Sequence, residues 1–206
     1  MPSKKQLLRK KREQIILLKL DEMGVLSRSH FQKLLDIENK RTINDILSSM
    51  GTYLNHKRLH ENVYYLSKQG RDYVGSTEII NKSAQLEHKL MRNDVRIYYG
   101  CPPGWKNEAE VVIKTRDLKE VKMIADASFE MQGTTFIVEI DNKQSMANNY
   151  KKIDFYARAF PVLERSNRTD IVLLFYTNTE FRKQKIDSYC KDKNIAAWVF
   201  TKRDLE

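Results

Sequence analysis

Two stretches of this sequence place acidic and basic side chains in an order suited to phosphodiester chemistry. In Phe136-Ile137-Val138-Glu139-Ile140-Asp141-Asn142-Lys143 apolar and polar residues alternate. The two-residue period of a strand puts Glu139, Asp141 and Lys143 on one face, and Phe136, Val138 and Ile140 on the other, toward packing. Asp126 lies in the preceding strand-like run. Carboxylates at Asp126 and Glu139 on neighbouring strands are hard oxygen ligands that would hold Mg²⁺ and leave room for phosphate and water. A lysine beside them would stabilise charge developing at phosphorus or hold the attacking water. Two lysines are placed for this: Lys143, in the frame Asp141-x-Lys143, and Lys152 downstream. Glu87 would add a further carboxylate. The usual frame puts the lysine two residues after the metal-binding acid, where Glu139 is followed by Asp141. Three readings therefore stand: Asp141 is the acid with Lys143, the lysine role has moved to Lys152, or the acids are structural.

The elements that would position these residues alternate between helix and strand. A helix is expected over residues 79–99, with Leu86, Leu90 and Ile97 on one stripe, ending at Cys101-Pro102-Pro103-Gly104. Strands are expected over 109–113, 122–130 and 134–141, with Gly133 in the turn between the last two. A helix over 146–160 would carry Tyr150, Ile153, Ala157 and Phe160 on its apolar face and stop at Pro161. A strand over 171–176, a helix over 180–190 and a strand over 196–200 complete the pattern. The order αβββαβ followed by αβ gives a mixed sheet flanked by helices, the order of the restriction-endonuclease-like, PD-(D/E)xK, core. The basic residues Arg182, Lys183, Lys185, Lys191 and Lys193 read as solvated surface.

The first third of the chain has a different character. Residues 1–74 hold 15 Lys and Arg against 8 Asp and Glu, whereas the other 132 residues hold 22 against 19. A helix over residues 7–23 ends at Gly24, Ser27 caps a second that runs to about Leu35, and a third starts near Thr42 and stops at Gly51. Two strand-like segments follow, ending in Val63-Tyr64-Tyr65-Leu66 and leading through Gly70 to a strand-like Tyr73-Val74. Three short helices and a two-stranded ribbon make a winged helix-turn-helix. In that module the third helix enters the major groove, where Lys40, Arg41, Thr42 and Asn44 would reach base edges beside an acidic Asp45. The wing tip, Asn55-His56-Lys57-Arg58, would donate to phosphates. The expected organisation is an α+β chain: a winged-helix domain over 1–74, a polar linker over 75–82 that contains Gly75-Ser76-Thr77, and a nuclease-like α/β domain over 83–206.

Composition narrows the function classes. The full chain holds 37 Lys and Arg against 27 Asp and Glu, a net charge of +10, with 41% hydrophobic residues. This balance suits a folded protein with a polyanionic partner rather than a disordered tail. No apolar run approaches the roughly 20 residues that span a bilayer, and residues 1–12 lack the apolar core of a secretory signal. Cys101 and Cys190 make no disulfide framework, and no Cys/His spacing suits zinc. The chain is expected in the cytoplasm, away from membranes.

These features together bring out a resemblance. The exit Val63-Tyr64-Tyr65-Leu66 with Gly70, the run Leu86-Glu87-His88-x-Leu90-x-x-Asn93-Asp94-Val95, then Ala125-Asp126-Ala127 and Phe136-Ile137-Val138-Glu139-Ile140-Asp141 with downstream Lys152 and Tyr156 resemble the replication-relaxation family of plasmids and mobile elements. That family usually has a proline before the acid at Asp126, where this chain has Ala125. The resemblance implies a winged helix joined to a nuclease-like domain, serving replication, copy control, conjugative transfer or transcriptional regulation. It implies no reaction. It favours Glu139, Asp141 and Lys152 over the Asp141-x-Lys143 frame and makes His88 a structural or site candidate. The expected function is double-stranded DNA binding, as a homodimer or with a replication or conjugation protein. The alternative is a Mg²⁺-dependent endonuclease, a nickase brought to its site by the winged helix.

Overall fold

Polar caps start the helices of the amino-terminal part. Ser3, Ser27, Asn39 and Ser67 each accept a backbone N–H two or three residues on. They open α1 (Lys4–Met23), α2 (Arg28–Leu35), α3 (Lys40–Ser49) and α4 (Lys68–Val74). The computed structural model describes residues 3–80, 85–114, 120–167 and 169–205. It divides into two compact units, Met1–Asn93 and Asp94–Glu206.

In the first unit, α1 ends at Gly24, whose φ of +75° is the region glycine enters at little cost. Ile16, Leu17, Leu20 and Met23 of α1, Phe31 of α2, and Ile43 and Leu47 of α3 are buried. Leu7, Leu8 and Leu18 of α1 stay exposed, so only one of its two apolar sides meets this core. Strands β1 (Leu26–Ser27), β2 (Leu54–Arg58) and β3 (Asn62–Leu66) form an antiparallel sheet in the order β1-β3-β2. Residues 55–58 are thus paired along a strand rather than forming the hairpin tip. The tip is at 59–61, where Leu59 N–H donates to the Glu61 carbonyl at 3.0 Å. Glu61 also accepts from Arg28 at 2.9 and 3.1 Å, from the Ser29 N–H at 3.2 Å, and from the Ser29 hydroxyl. The carboxylate sits at the start of α2, where the helix dipole favours negative charge.

The strand expected at Tyr73-Val74 is the end of α4 instead. Ser67 caps this segment, and the β-branched signal of residues 63–66 does not extend past it. Gly70 explains the tight turn. A Cβ there would stand 2.2 Å from the Tyr53 carbonyl oxygen, which already accepts from Ser67 N–H at 2.8 Å.

Helix α5 (Gln85–Tyr98) starts later than the pattern suggested, since residues 79 and 80 are not helical. Residues 81–84, which include the end of the expected linker and the expected start of the second domain, lie outside the described residues. Leu86 is buried with Val25, Val63 and Tyr65, and Leu90 packs against them. Asn93 Nδ2 donates to the carbonyls of Met23 and Val25 at 3.0 and 2.7 Å. These contacts tie the helix up to Asn93 to the first unit, and the division between units falls within α5.

The second unit is a five-stranded sheet in the order β4-β5-β6-β7-β8. Its strands are β4 (Lys106–Lys114), β5 (Glu120–Met131), β6 (Thr134–Asp141), β7 (Asp170–Thr177) and β8 (Ala197–Phe200). The first three pair antiparallel, while β6, β7 and β8 pair parallel. The parallel connections run through α6 (Met146–Asn167) and α7 (Glu180–Asp192), as parallel strands require. One sheet face packs Ile137, Leu173, Phe175 and Val199 against Ile153, Phe155, Tyr156, Ala159 and Phe160 of α6 and Ile186 and Cys190 of α7. On the other face Phe129 and Phe136 stack at 4.9 Å, with Trp105, Tyr99 and Trp198 ringed around them.

Pro161 does not stop α6, which runs on to Asn167. Proline removes one helical N–H, but Phe160 before it is buried and Leu163 after it packs on the same core. The continued burial outweighs the lost bond. Among the described residues no helix is long and apolar enough to cross a membrane. The tight approach at Gly70 yields a stability prediction. Gly70→Ala should lower unfolding stability by about 2–3 kcal/mol through overpacking against rigid backbone, read by urea denaturation, while an exposed Gly51→Ala should change little.

Candidate functional site

Two groups of residues carry chemistry, one in each unit. In the first, α3 buries Ile43 and Leu47, while Lys40, Arg41, Thr42, Asn44 and Asp45 of its first two turns are exposed. The Asn39 cap takes the N–H groups of Arg41 and Thr42 at 2.9 and 3.1 Å, so the first turn is locally held. On β2 only Leu54 is buried, and Asn55, His56, Lys57 and Arg58 are all exposed. The His56 ring lies 6.0 Å from that of Tyr64, and Arg58 donates to Asn62 Oδ1 at 3.3 Å. These exposed positions are all polar and include four cations, Lys40, Arg41, Lys57 and Arg58, and one acid, Asp45.

The second group lies on the α6 side of the sheet. The β5–β6 ladder runs from Met131–Thr134 up to Ala127–Val138. Beyond it, the Ile140 N–H donates at 2.7 Å to the Asp126 Oδ2 side chain. Glu139 has no exposed surface. Its Oε2 accepts from Lys152 Nζ and its Oε1 from the Tyr156 hydroxyl, each at 2.5 Å. Lys152 and Tyr156 are one turn apart on α6, so both reach the same strand position. Burial pushes the Glu139 carboxyl up to about 7; Lys152 opposes this, and the negative charge of Asp126 adds to it. Burial, with Glu139 beside it, raises the Tyr156 phenol well above its usual value.

Asp141 is also without exposed surface but has a different set of partners. Arg182 of α7 grips it with two bonds of 2.6 Å, Thr177 donates at 2.7 Å, and Arg182 also reaches the Gln144 carbonyl at 2.7 Å. Burial pushes this carboxyl up, but hydrogen bonds from Arg182, Asn149 and Thr177 outweigh it and hold it below the usual range. Asp141 therefore anchors α7 and the turn after β6. The forecast of a solvated Arg182 is corrected here, since a bidentate pair with a buried acid keeps it inward.

Asp126, Glu139 and Lys152 thus come together, with Tyr156 as their fourth member. Lys143 is exposed just past the end of β6. Glu87 stands on the first turn of α5, in the first unit. His88 is half-buried on the same helix. Among the described residues no three His, Cys, Asp or Glu side chains gather as metal ligands. The donor chemistry also fits Mg²⁺ poorly. That ion takes ionised oxygens and keeps several waters, whereas Glu139 is sealed from solvent and has both oxygens engaged. Asp141, the remaining nearby acid of the strand, is already neutralised by Arg182.

Four residues have roles that the sequence did not assign. Tyr156 was noted without a role, although its spacing of four from Lys152 places both on one helix face. Arg182 gave no signal, because its partner is 41 residues away. Asn93 and Asp94 stood together in the sequence, but only their partners separate their roles: Asn93 holds the end of α1, and Asp94 accepts from the Tyr176 hydroxyl at 3.2 Å.

A family model described as replication-relaxation matches residues 15–171 of the chain. No curated protein and no solved structure matches it.

The raised Glu139 carboxyl sets a pH test. Its value is higher folded than unfolded, so this group's contribution is complete below about 4.5 and is lost as pH rises to about 7. Over that window it should cost roughly 3 kcal/mol of stability. Glu139→Gln should remove this dependence, measured as the change in unfolding free energy between pH 5 and pH 7.5 in variant and wild type.

Proposed function

Because the chain belongs to the replication-relaxation family, whose model covers residues 15–171, we propose that it binds double-stranded DNA of a plasmid or mobile element and does not cut it. Residues 1–74 act as a winged helix, and the observation that carries this reading is the exposed face of α3. Lys40, Arg41, Thr42 and Asn44 stand outward on a helix fixed by Ile43, Leu47 and its Asn39 cap. Arginine has the paired donors that read a guanine edge in the major groove, and asparagine the donor and acceptor that read an adenine edge. His56, Lys57 and Arg58 lie along a strand rather than at a loop tip, so they contact a run of backbone phosphates. The excess of 15 basic over 8 acidic residues in 1–74 supplies the attraction common to all sequences.

The second unit is read as a restriction-endonuclease-like core whose acids serve the fold. Its element order and the meeting of Asp126, Glu139 and Lys152 support the kinship. The sealing of Glu139 by Lys152 and Tyr156 supports the loss of cutting. DNA binding by the first unit and partner contacts by the second would serve replication, copy control, transfer or transcription of the element.

Two experiments test this reading. In fluorescence anisotropy with duplexes of varied sequence, Arg41→Ala and Asn44→Ala should each lose about 1–3 kcal/mol on the preferred site and relax its preference. Lys57→Ala should weaken all duplexes alike and reduce the salt slope by about one. Equal affinity for every duplex, before and after substitution, would remove base reading. Supercoiled plasmid with Mg²⁺ or Mn²⁺ should stay intact. Nicking that disappears in both Asp126→Ala and Glu139→Ala would replace this reading with the endonuclease.

A further inference from the structure

Helix α1 has two apolar sides, and only one is used. Ile16, Leu17, Leu20 and Met23 are buried. On the opposite side Leu7, Leu8 and Leu18 are 54%, 49% and 59% exposed, with half-buried Ile15 between them. At 3.6 residues per turn these four share an arc of about 100°, the width of a packing stripe. The amino-terminal turns are nevertheless a well-formed helix. Ser3 and Gln6 exchange capping hydrogen bonds of 2.7 and 3.3 Å, although residues 6–11 are all exposed.

The spacing along the stripe identifies what covers it. Lys4, Leu8, Lys11, Ile15, Leu18 and Glu22 follow one another at intervals of four and three, the seam of a two-helix coil. Parallel pairing of two such seams would set Lys4, Lys11 and Glu22 against their own copies, a repulsive arrangement at every polar position. Antiparallel pairing removes the conflict. Lys4 then meets Glu22 of the second copy, Leu8 meets its Leu18, and the aliphatic stem of Lys11 lies along its Ile15. Within its own helix Glu22 accepts from Lys19 at 2.7 Å.

We infer that α1 is the dimerisation element of this protein, pairing antiparallel with α1 of a second copy through Leu7, Leu8, Ile15 and Leu18. The contact is isologous, so two copies are related by a two-fold axis. Two copies of α3 would then be presented with the symmetry that a palindromic duplex site requires. This symmetry rests on the DNA-binding reading, but the dimer itself does not.

Sedimentation velocity of the full chain without DNA, from about 1 to 100 μM, covers the affinity range of such a contact. A species of twice the 24.4 kDa chain mass should grow with concentration. The double substitution Leu8→Glu and Leu18→Glu should raise the dissociation constant at least tenfold and leave the helical circular dichroism unchanged. Lys4→Glu and Glu22→Lys should each weaken association, and their combination should restore it, which parallel pairing would not produce. A monomer at every concentration would overturn the inference, as would a dimer insensitive to these changes. It would also fail if the chain stayed monomeric and the leucine substitutions lowered DNA affinity instead, since α1 would then be a DNA contact.

Discussion

A carboxylate with no solvent contact stays in a protein interior only when both its oxygens find donors, because desolvation otherwise drives it out or neutralises it. Glu139 meets this condition through two residues of one helix. Lys152 and Tyr156 descend from α6 onto β6, and their spacing of one turn makes the double contact possible. The contact sets how α6 lies across the sheet and packs Ile153, Phe155, Ala159 and Phe160 onto the core. Asp141 does the same for α7 through Arg182 and Thr177. Two buried acids on one strand therefore fix both helices that cover that face. Breaking either pair would leave a charge uncompensated in the interior, which costs more than the pair itself contributes.

The same arrangement limits the chemistry. An acid that supports a helix through both oxygens is not offered to a hydrated cation. Glu139, made hard to ionise by burial and by Asp126, is a poor ligand beside one that is free and charged. Asp126 spends one oxygen on the Ile140 N–H where the β5–β6 ladder has ended. The strands separate next to the cluster, and a side chain takes over a lost backbone bond. The buried acids of β6 in this way fasten the sheet to the helices that cover it.

Much of the second unit was legible in the sequence. The strand 134–141 had its residues and its end correct, since period-two alternation is strong when one side is aromatic and the other polar. The other two antiparallel strands, expected over 109–113 and 122–130, were each short by a few residues. Failures came where a local signal met a tertiary one. Proline looked like a stop at 161, yet core burial of Phe160 and Leu163 carried the helix past it. Residues 67–74 followed a β-rich run, yet the Ser67 cap and the contact of Gly70 with Tyr53 made a helix. Arg182 looked solvated among lysines, because nothing local shows that a distant aspartate is waiting for it.

By itself the sequence determined the order of strands and long helices in the second unit, the concentration of positive charge in residues 1–74, and the common face of Glu139 and Asp141, because these depend on period and composition alone. Tertiary structure decided which partners the acids have and how far they are buried. Charge pattern cannot tell a ligand from a fastening, since both need a carboxylate beside a lysine. The difference lies in solvent access and in how many oxygens are already taken, and only the packing of α6 and α7 over the sheet sets those.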